Sequence, residues 1–210
     1  MLQNSAVNKE TLGLLKCLMQ HDFLYDFNLV GGTALALQIG HRISIDLDLF
    51  ANIEFNPSEI KEKLESKYSL LNVIENKAGL ILNIEYPENS NNYIKVDIIK
   101  YLYKLLKPPI QFDGIRLLTK EDIIPMKLAA IANRGSKKDF FDIYFLFQEY
   151  SLKEMITLFE KKFSNYNNFY VIKSIAYFDD AENDINPKLL KECSWDEVKN
   201  FIRLKVQEYI

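Results

Sequence analysis

The sequence predicts an α+β protein, with a mixed β-sheet flanked by helices first and a C-terminal α-helical bundle after it. Two observations carry that expectation. Alternating and β-rich runs end near Leu118, whereas helix-starting signatures crowd into the residues from Thr119 onward. The stretch 28–50, NLVGGTALALQIGHRISIDLDLF, also reads as strand, Gly-Gly turn, short helix and second strand in close succession. The expected division is therefore residues 1–118 for the α/β part and 119–210 for the helical part.

Taken in order, residues 9–20 place Leu12, Leu15, Leu18 and Met19 at helical spacing behind Asn8, a good N-cap. Residues 28–30 then read as a strand running into Gly31-Gly32, followed by a helix from about 33 to 39 that Gly40 stops. The next strand carries Asp46 and Asp48. Side chains alternate along a strand, so these two share one face while Ile45, Leu47 and Leu49 take the apolar one. Asn56-Pro57 is an N-cap followed by proline at the first helical position, opening a charged helix to about residue 67. Residues 68–75 and 80–86 are β-rich runs split by a turn at 76–79, and PENSNN separates the second from the run 93–100. In that run Tyr93, Lys95, Asp97 and Ile99 alternate with Ile94, Val96 and Ile98. After Pro108-Pro109, residues 115–118 are the last expected strand.

Beyond it, Thr119 with Asp122 resembles a capping box, and Pro125 suits the start of a helix carrying Met126, Leu128, Ala129, Ala130 and Ile131 as far as Gly135. Ser136 with Asp139 caps the next helix, whose Phe140, Ile143, Tyr144 and Phe147 make an aromatic core face. Ser151 with Glu154 and Ser194 with Glu197 are boxes opening helices near 152–163 and 195–209, and the aromatic run 169–178 has core spacing.

A chain of 210 residues buries roughly 70% of its unfolded surface and needs no staples. Cys17 and Cys193 lie far apart in helical patterns, which suits buried thiols in a reducing compartment and points to the cytoplasm. The start lacks the basic and apolar regions of a signal peptide, and no segment reaches the roughly 18 apolar residues of a membrane span, so a soluble protein with no membrane partner is expected. Net charge is −3, yet residues 95–138 carry 10 basic and 4 acidic side chains between acidic flanks. Such a stretch either holds a polyanion or keeps a surface solvated. The acidic loop 179–184 lacks the turn glycine of a calcium loop and reads as a solvated turn.

The chemistry concentrates in 28–50. Gly31 and Gly32 leave the backbone bare before a helix N-terminus, where free N–H groups and the dipole favour phosphate. Asp46 and Asp48 follow after 13 intervening residues. Asp97 is a carboxylate in a hydrophobic strand, costly unless paired or metal-bound. If its strand lies beside that of Asp46 and Asp48, three carboxylates converge, and such oxygen ligands suit two Mg²⁺ (or Mn²⁺) ions held against a triphosphate. The alternative is that Asp46 and Asp48 end an edge strand in solvent and Asp97 pairs with a lysine.

Val30-Gly31-Gly32, the spacer, and then Asp46-Leu47-Asp48-Leu49 resemble the signature of the polymerase-β-like nucleotidyltransferase superfamily. The longer strings GGTALALQIGHRISIDLDLF and KLAAIANRGSKKDFFDIYFLF resemble the AbiEii/AbiGii type, the toxin half of abortive-infection toxin–antitoxin pairs. The resemblance implies a nucleotidyltransferase-type sheet and transfer of a nucleoside monophosphate from a nucleoside triphosphate to a hydroxyl acceptor. It implies Asp46 and Asp48 as ligands of two metal ions and Asp97 as third carboxylate and base. Gly31 and Gly32 match the glycines that admit the triphosphate. The family often has serine where this chain has Gly32, so that hydroxyl contact is absent or comes from Thr33. Arg42 and Ser44 stand close enough in sequence to touch phosphate oxygens, whereas His41 reads either as part of the motif or as a loop residue. Lys127, Lys138 and Asp142 fall on the family's downstream motif as nucleotide or acceptor contacts, the alternative being an ordinary i,i+4 surface pair between Lys138 and Asp142. An RNA such as tRNA, or a protein, as acceptor and a cognate antitoxin as partner follow from the same resemblance. Two other functions use the same residues: an inactive nucleotide- or partner-binding module, and a metal nuclease.

Overall fold

In the computed structural model, which describes residues 2–210, the strand–helix–strand unit forms the middle of a seven-stranded mixed sheet. Helix α1 (Lys9–Met19) starts on Asn8, whose side chain accepts from the Thr11 N–H at 2.6 Å. Strand β1 (Asn28–Val30), helix α2 (Gly31–Ile39) and strand β2 (Leu47–Ala51) follow, and α3 (Pro57–Glu65) starts on Asn56. The remaining strands are β3 (Leu70–Asn76), β4 (Gly79–Glu85), β5 (Tyr93–Lys100), β6 (Ile110–Phe112) and β7 (Ile115–Leu117). Their order is β3-β4-β5-β2-β1-β7-β6, with β2 parallel to β5, β1 parallel to β7 and the other neighbours antiparallel.

Helices α4 (Lys120–Arg134), α5 (Lys137–Leu146), α6 (Leu152–Lys162), α7 (Asn168–Ile175) and α8 (Trp195–Tyr209) complete the chain. Alternation buries Leu80, Leu82 and Ile84 of β4, Ile94, Val96 and Ile98 of β5, and Leu47 and Leu49 of β2. Helix α2 packs on β1 and β2 and also on α4 and α5, so it is the joint between sheet and helices. One apolar cluster runs through both, from Val7 to Val206. Among the described residues no helix is long and apolar enough to cross a membrane.

The structure departs from the sequence-based expectation at several boundaries. The two glycines are the first turn of α2 rather than a turn before it. Strand β2 begins at Leu47, so Asp46 precedes it and Ile45 is 58% exposed instead of lying on the apolar face. The cause is loop 43–46, which is tied to neighbouring segments before the strand begins: the Ser44 N–H donates to the Ala6 carbonyl at 2.9 Å and the Ile43 N–H to the Lys188 carbonyl at 2.8 Å. Helix α4 begins at Lys120, because the extended Thr119 already accepts from the Ile123 N–H at 3.1 Å, and Pro125 lies one turn inside. Neither Thr119 nor Ser136 caps with its side chain. Strand β6 and helix α7 had no counterpart in the expectation. Of the aromatic run, Phe178 is buried but Phe169, Tyr170 and Tyr177 are exposed.

Candidate active site

The site is built where β1 runs straight into α2. Val30 is the N-cap and has no side-chain capping bond, so the first turn of α2 is left bare. Gly31 has φ +67°, a left-handed value that favours glycine, and a Cβ there would collide with Asp48 Oδ2. A Cβ on Gly32 would collide instead with Arg42 Nη2. The Thr33 hydroxyl donates to the Asp46 carbonyl and lies 2.9 Å from Ser44 Oγ, tying the loop before β2 to α2. Thr33 and Ser44 are both buried.

Beside this helix start, parallel pairing of β2 and β5 sets Asp48 in register with Asp97. Both are half-buried, and Lys95, two residues along the same face of β5, places Nζ 2.8 Å from Asp97 Oδ2. Asp97 Oδ1 is buried with no hydrogen-bond partner. Burial first, and then the charge of Asp97, push the Asp48 carboxyl up to about 6, with Lys127 and Lys95 acting against the shift and Asp46 adding to it. Asp46 lies just before β2, in the loop that leads into the strand of Asp48. Among the described residues no group of three or more His, Cys, Asp and Glu is gathered as a metal cluster, so the close unit is Asp48 with Asp97.

Behind the helix start lies a buried ion network. Asp142 of α5 accepts at Oδ1 from His41 Nε2 and Arg42 Nε, each at 2.6 Å. Its Oδ2 faces Lys127 Nζ at 2.6 Å and Arg42 Nη2 at 3.0 Å. Asp139, one turn earlier, holds Lys127 Nζ at 2.9 Å and Arg134 Nε at 3.0 Å. Burial works against the charged form of Asp142, but Arg42, Lys127 and the His41 hydrogen bond overcome it and hold this carboxyl well below the usual range. Burial keeps the His41 imidazole below its ordinary value despite the hydrogen bond and charge of Asp142.

The sequence-predicted residues thus fall into three groups. Gly31, Gly32, Asp46, Asp48 and Asp97 gather at one end of the sheet. Arg42, Lys127 and Asp142 form the network behind them, joined by Thr33 and Ser44 as braces. Lys138 is exposed while Asp142 is buried, so no i,i+4 surface pair forms. Lys138 instead borders a cavity of about 520 Å³ with Arg42, Ser44, Asp46, Ser136 and Asp184, beside the carboxylate pair rather than over it.

Sequence reading missed Lys95, Arg134 and Asp139. The i,i+2 spacing of Lys95 and Asp97 on an alternating strand was a signal for the first. Asp139 reads in the sequence as a helix-capping partner of Ser136, and nothing in the sequence singles out Arg134. Much of the basic segment 95–138 is engaged within the protein: Lys100 pairs with Glu54 and Lys120 with Glu149, while Arg116 donates to the carbonyls of Met19, Leu24 and Phe27, and Lys137 to those of Glu182 and Asp184.

Comparison with known proteins fits this geometry. Residues 13–207 match the profile of the family described as nucleotidyl transferase AbiEii toxin, type IV TA system. An uncharacterized protein of Aquifex aeolicus (strain VF5) is 34% identical over 210 residues, covering 97% of this chain and 98% of that protein. Among solved structures, JHP933 from Helicobacter pylori aligns with a TM-score of 0.61 at 17% identity, covering 96% of this chain and 92% of that one. MenT4, a nucleotidyltransferase toxin from Mycobacterium tuberculosis H37Rv, aligns with a TM-score of 0.56 at 14% identity, covering 96% and 86%. At those identities the structural likeness shows the fold. Because the profile match runs through sheet and helices alike, the chain belongs to the AbiEii family of nucleotidyl transferase toxins.

Proposed function

We propose that the protein transfers a nucleoside monophosphate from a nucleoside triphosphate to a hydroxyl acceptor, releasing pyrophosphate, with Mg²⁺ or Mn²⁺ bound at Asp48 and Asp97 and assisted by Asp46. The observation that carries this reading is the Asp48–Asp97 pair, in register on neighbouring strands next to the bare first turn of α2. The pair fits a divalent cation: its donors are hard oxygens, Asp97 Oδ1 lacks a partner, and burial together with the Asp97 charge has pushed up the Asp48 carboxyl. When bound, such ions neutralise triphosphate charge and orient it for in-line attack.

The chain's own residues account for the rest. The uncapped N–H groups at the start of α2 receive phosphate oxygens, and Gly31 lets Asp48 approach that turn. Asp97 serves as the base that takes the proton of the attacking hydroxyl. Arg42 and Lys127, both held by Asp142, supply fixed positive charge behind the phosphates. Lys138 and Arg134, exposed at the rim, meet the nucleotide or the acceptor. In this division residues 1–118 carry the carboxylates and 119–210 cover them.

By family membership we infer that the protein acts as a toxin in the cytoplasm with a cognate antitoxin, on an RNA acceptor such as tRNA or on a protein. The test is incubation with Mg²⁺, each labelled nucleoside triphosphate in turn, and total RNA or protein. Label transfer that disappears in Asp46→Ala and Asp97→Ala is expected. Nucleotide binding without transfer under every metal and acceptor would leave a binding module, and RNA shortening without added nucleotide would indicate a nuclease.

A further inference from the structure

Of the cations near Asp46, Asp48 and Asp97 among the described residues, three are committed elsewhere. Arg42 and Lys127 are buried on Asp142, and Arg134 is held by Asp139. Lys95 differs in that its ion-pair partner, Asp97, belongs to the carboxylate pair itself, and its side chain is 44% exposed against 18% for Asp97. It can therefore leave without unpacking anything. Its ammonium takes only Oδ2 and leaves Oδ1 bare.

We propose that Lys95 is the resident counter-ion of the carboxylate pair, holding Asp97 until a divalent cation displaces it and thereby setting the concentration at which the site loads metal. The inference rests on the reading of Asp48 and Asp97 as metal ligands. Its physical content is competition: Asp97 Oδ2 cannot serve an ammonium and a metal ion fully at once. The resident ammonium also offsets the repulsion between Asp48 and Asp97 on adjacent strands when no cation is present. Because the pair is partly solvent-exposed, the competition is modest in size. It weakens further as salt rises.

The experiment is calorimetric titration of Mn²⁺ alone into the full chain at low ionic strength, comparing wild type with Lys95→Met, Lys95→Arg and Asp97→Asn, with far-UV circular dichroism as the folding check. Lys95→Met is expected to bind Mn²⁺ roughly two- to fivefold more tightly. Lys95→Arg, which keeps the competing cation, stays near wild type, and Asp97→Asn loses binding. Unchanged or weaker binding in Lys95→Met, with wild type still binding, overturns the role of Lys95. Absence of Mn²⁺ uptake by wild type and Lys95→Met alike removes the metal-ligand reading itself, and this inference with it.

Discussion

Gly31 and Gly32 are glycines for different reasons. Gly31 combines a left-handed backbone with the close approach of Asp48, whereas Gly32 makes room for the Arg42 guanidinium. That accounts for the departure from the family's Gly-Ser form, because a serine side chain would meet Arg42 Nη2. Gly32→Ser is expected to lower stability by about 1–3 kcal/mol in denaturant titration, with part of the loss recovered when Arg42→Lys is added. Independent, additive losses would contradict this. Asp48 has a carboxyl raised from 3.8 to about 6. Between those values the folded protein keeps a proton that the unfolded chain releases, so the contribution of this group is fully present below about pH 4 and is lost as pH rises through 6. Without metal, Asp48→Asn is therefore expected to exceed wild type in stability by about 1–3 kcal/mol above pH 6, with the gap closing below pH 4. Urea titrations across that range check it, and a gap that widens as pH falls would refute it.

Among the elements, the four predicted capping boxes separate by side-chain length. Ser151 with Glu154 and Ser194 with Glu197 form fully. The two with aspartate do not, because the shorter Asp122 and Asp139 are drawn into buried pairs. Asp122 takes Lys162 Nζ at 2.6 Å and the N–H groups of Leu106 and Lys107, while Asp139 takes Lys127 and Arg134. Thermal denaturation should then distinguish Ser151→Ala, which costs about 1 kcal/mol, from Thr119→Val, which is neutral or stabilising because the Thr119 hydroxyl is buried without a partner. The hairpin joining β6 to β7 was legible and overlooked: Asp113 and Gly114 take φ of 51° and 78°, the two positive values an Asp-Gly turn supplies. Helix α7 was obscured because Phe169 and Tyr170 are apolar in composition yet exposed, which blurs its periodicity.

Across the whole molecule, Asp142 fastens the loop after α2, through His41 and Arg42, to α4 through Lys127. Most of the strands, and a helix following the strand that ends at Gly-Gly, could be anticipated from local pattern. This network could not, since Asp142 meets partners 100 and 101 positions away and local periodicity carries no record of such pairs. The same limit applies to the charge of residues 95–138, whose partners come from every part of the chain. Asp142→Ala leaves Arg42 and Lys127 buried without their shared counter-ion, and its expected cost is about 3–5 kcal/mol by urea denaturation. A loss under 1 kcal/mol would show that the network is dispensable. Because this carboxyl is held well below the usual range, its contribution persists above about pH 4 and fades only as pH falls below that value.

With Asp48 and Asp97 proposed as the reacting centre and Asp142 as a support, the two roles come apart in one measurement. Transfer of label from nucleoside triphosphate is followed in Asp97→Asn, with its stability measured alongside. The expected result is a fall of at least about a hundredfold in transfer, with stability within about 1 kcal/mol of wild type or above it. Transfer within tenfold of wild type in a folded Asp97→Asn protein would contradict the assignment of the centre.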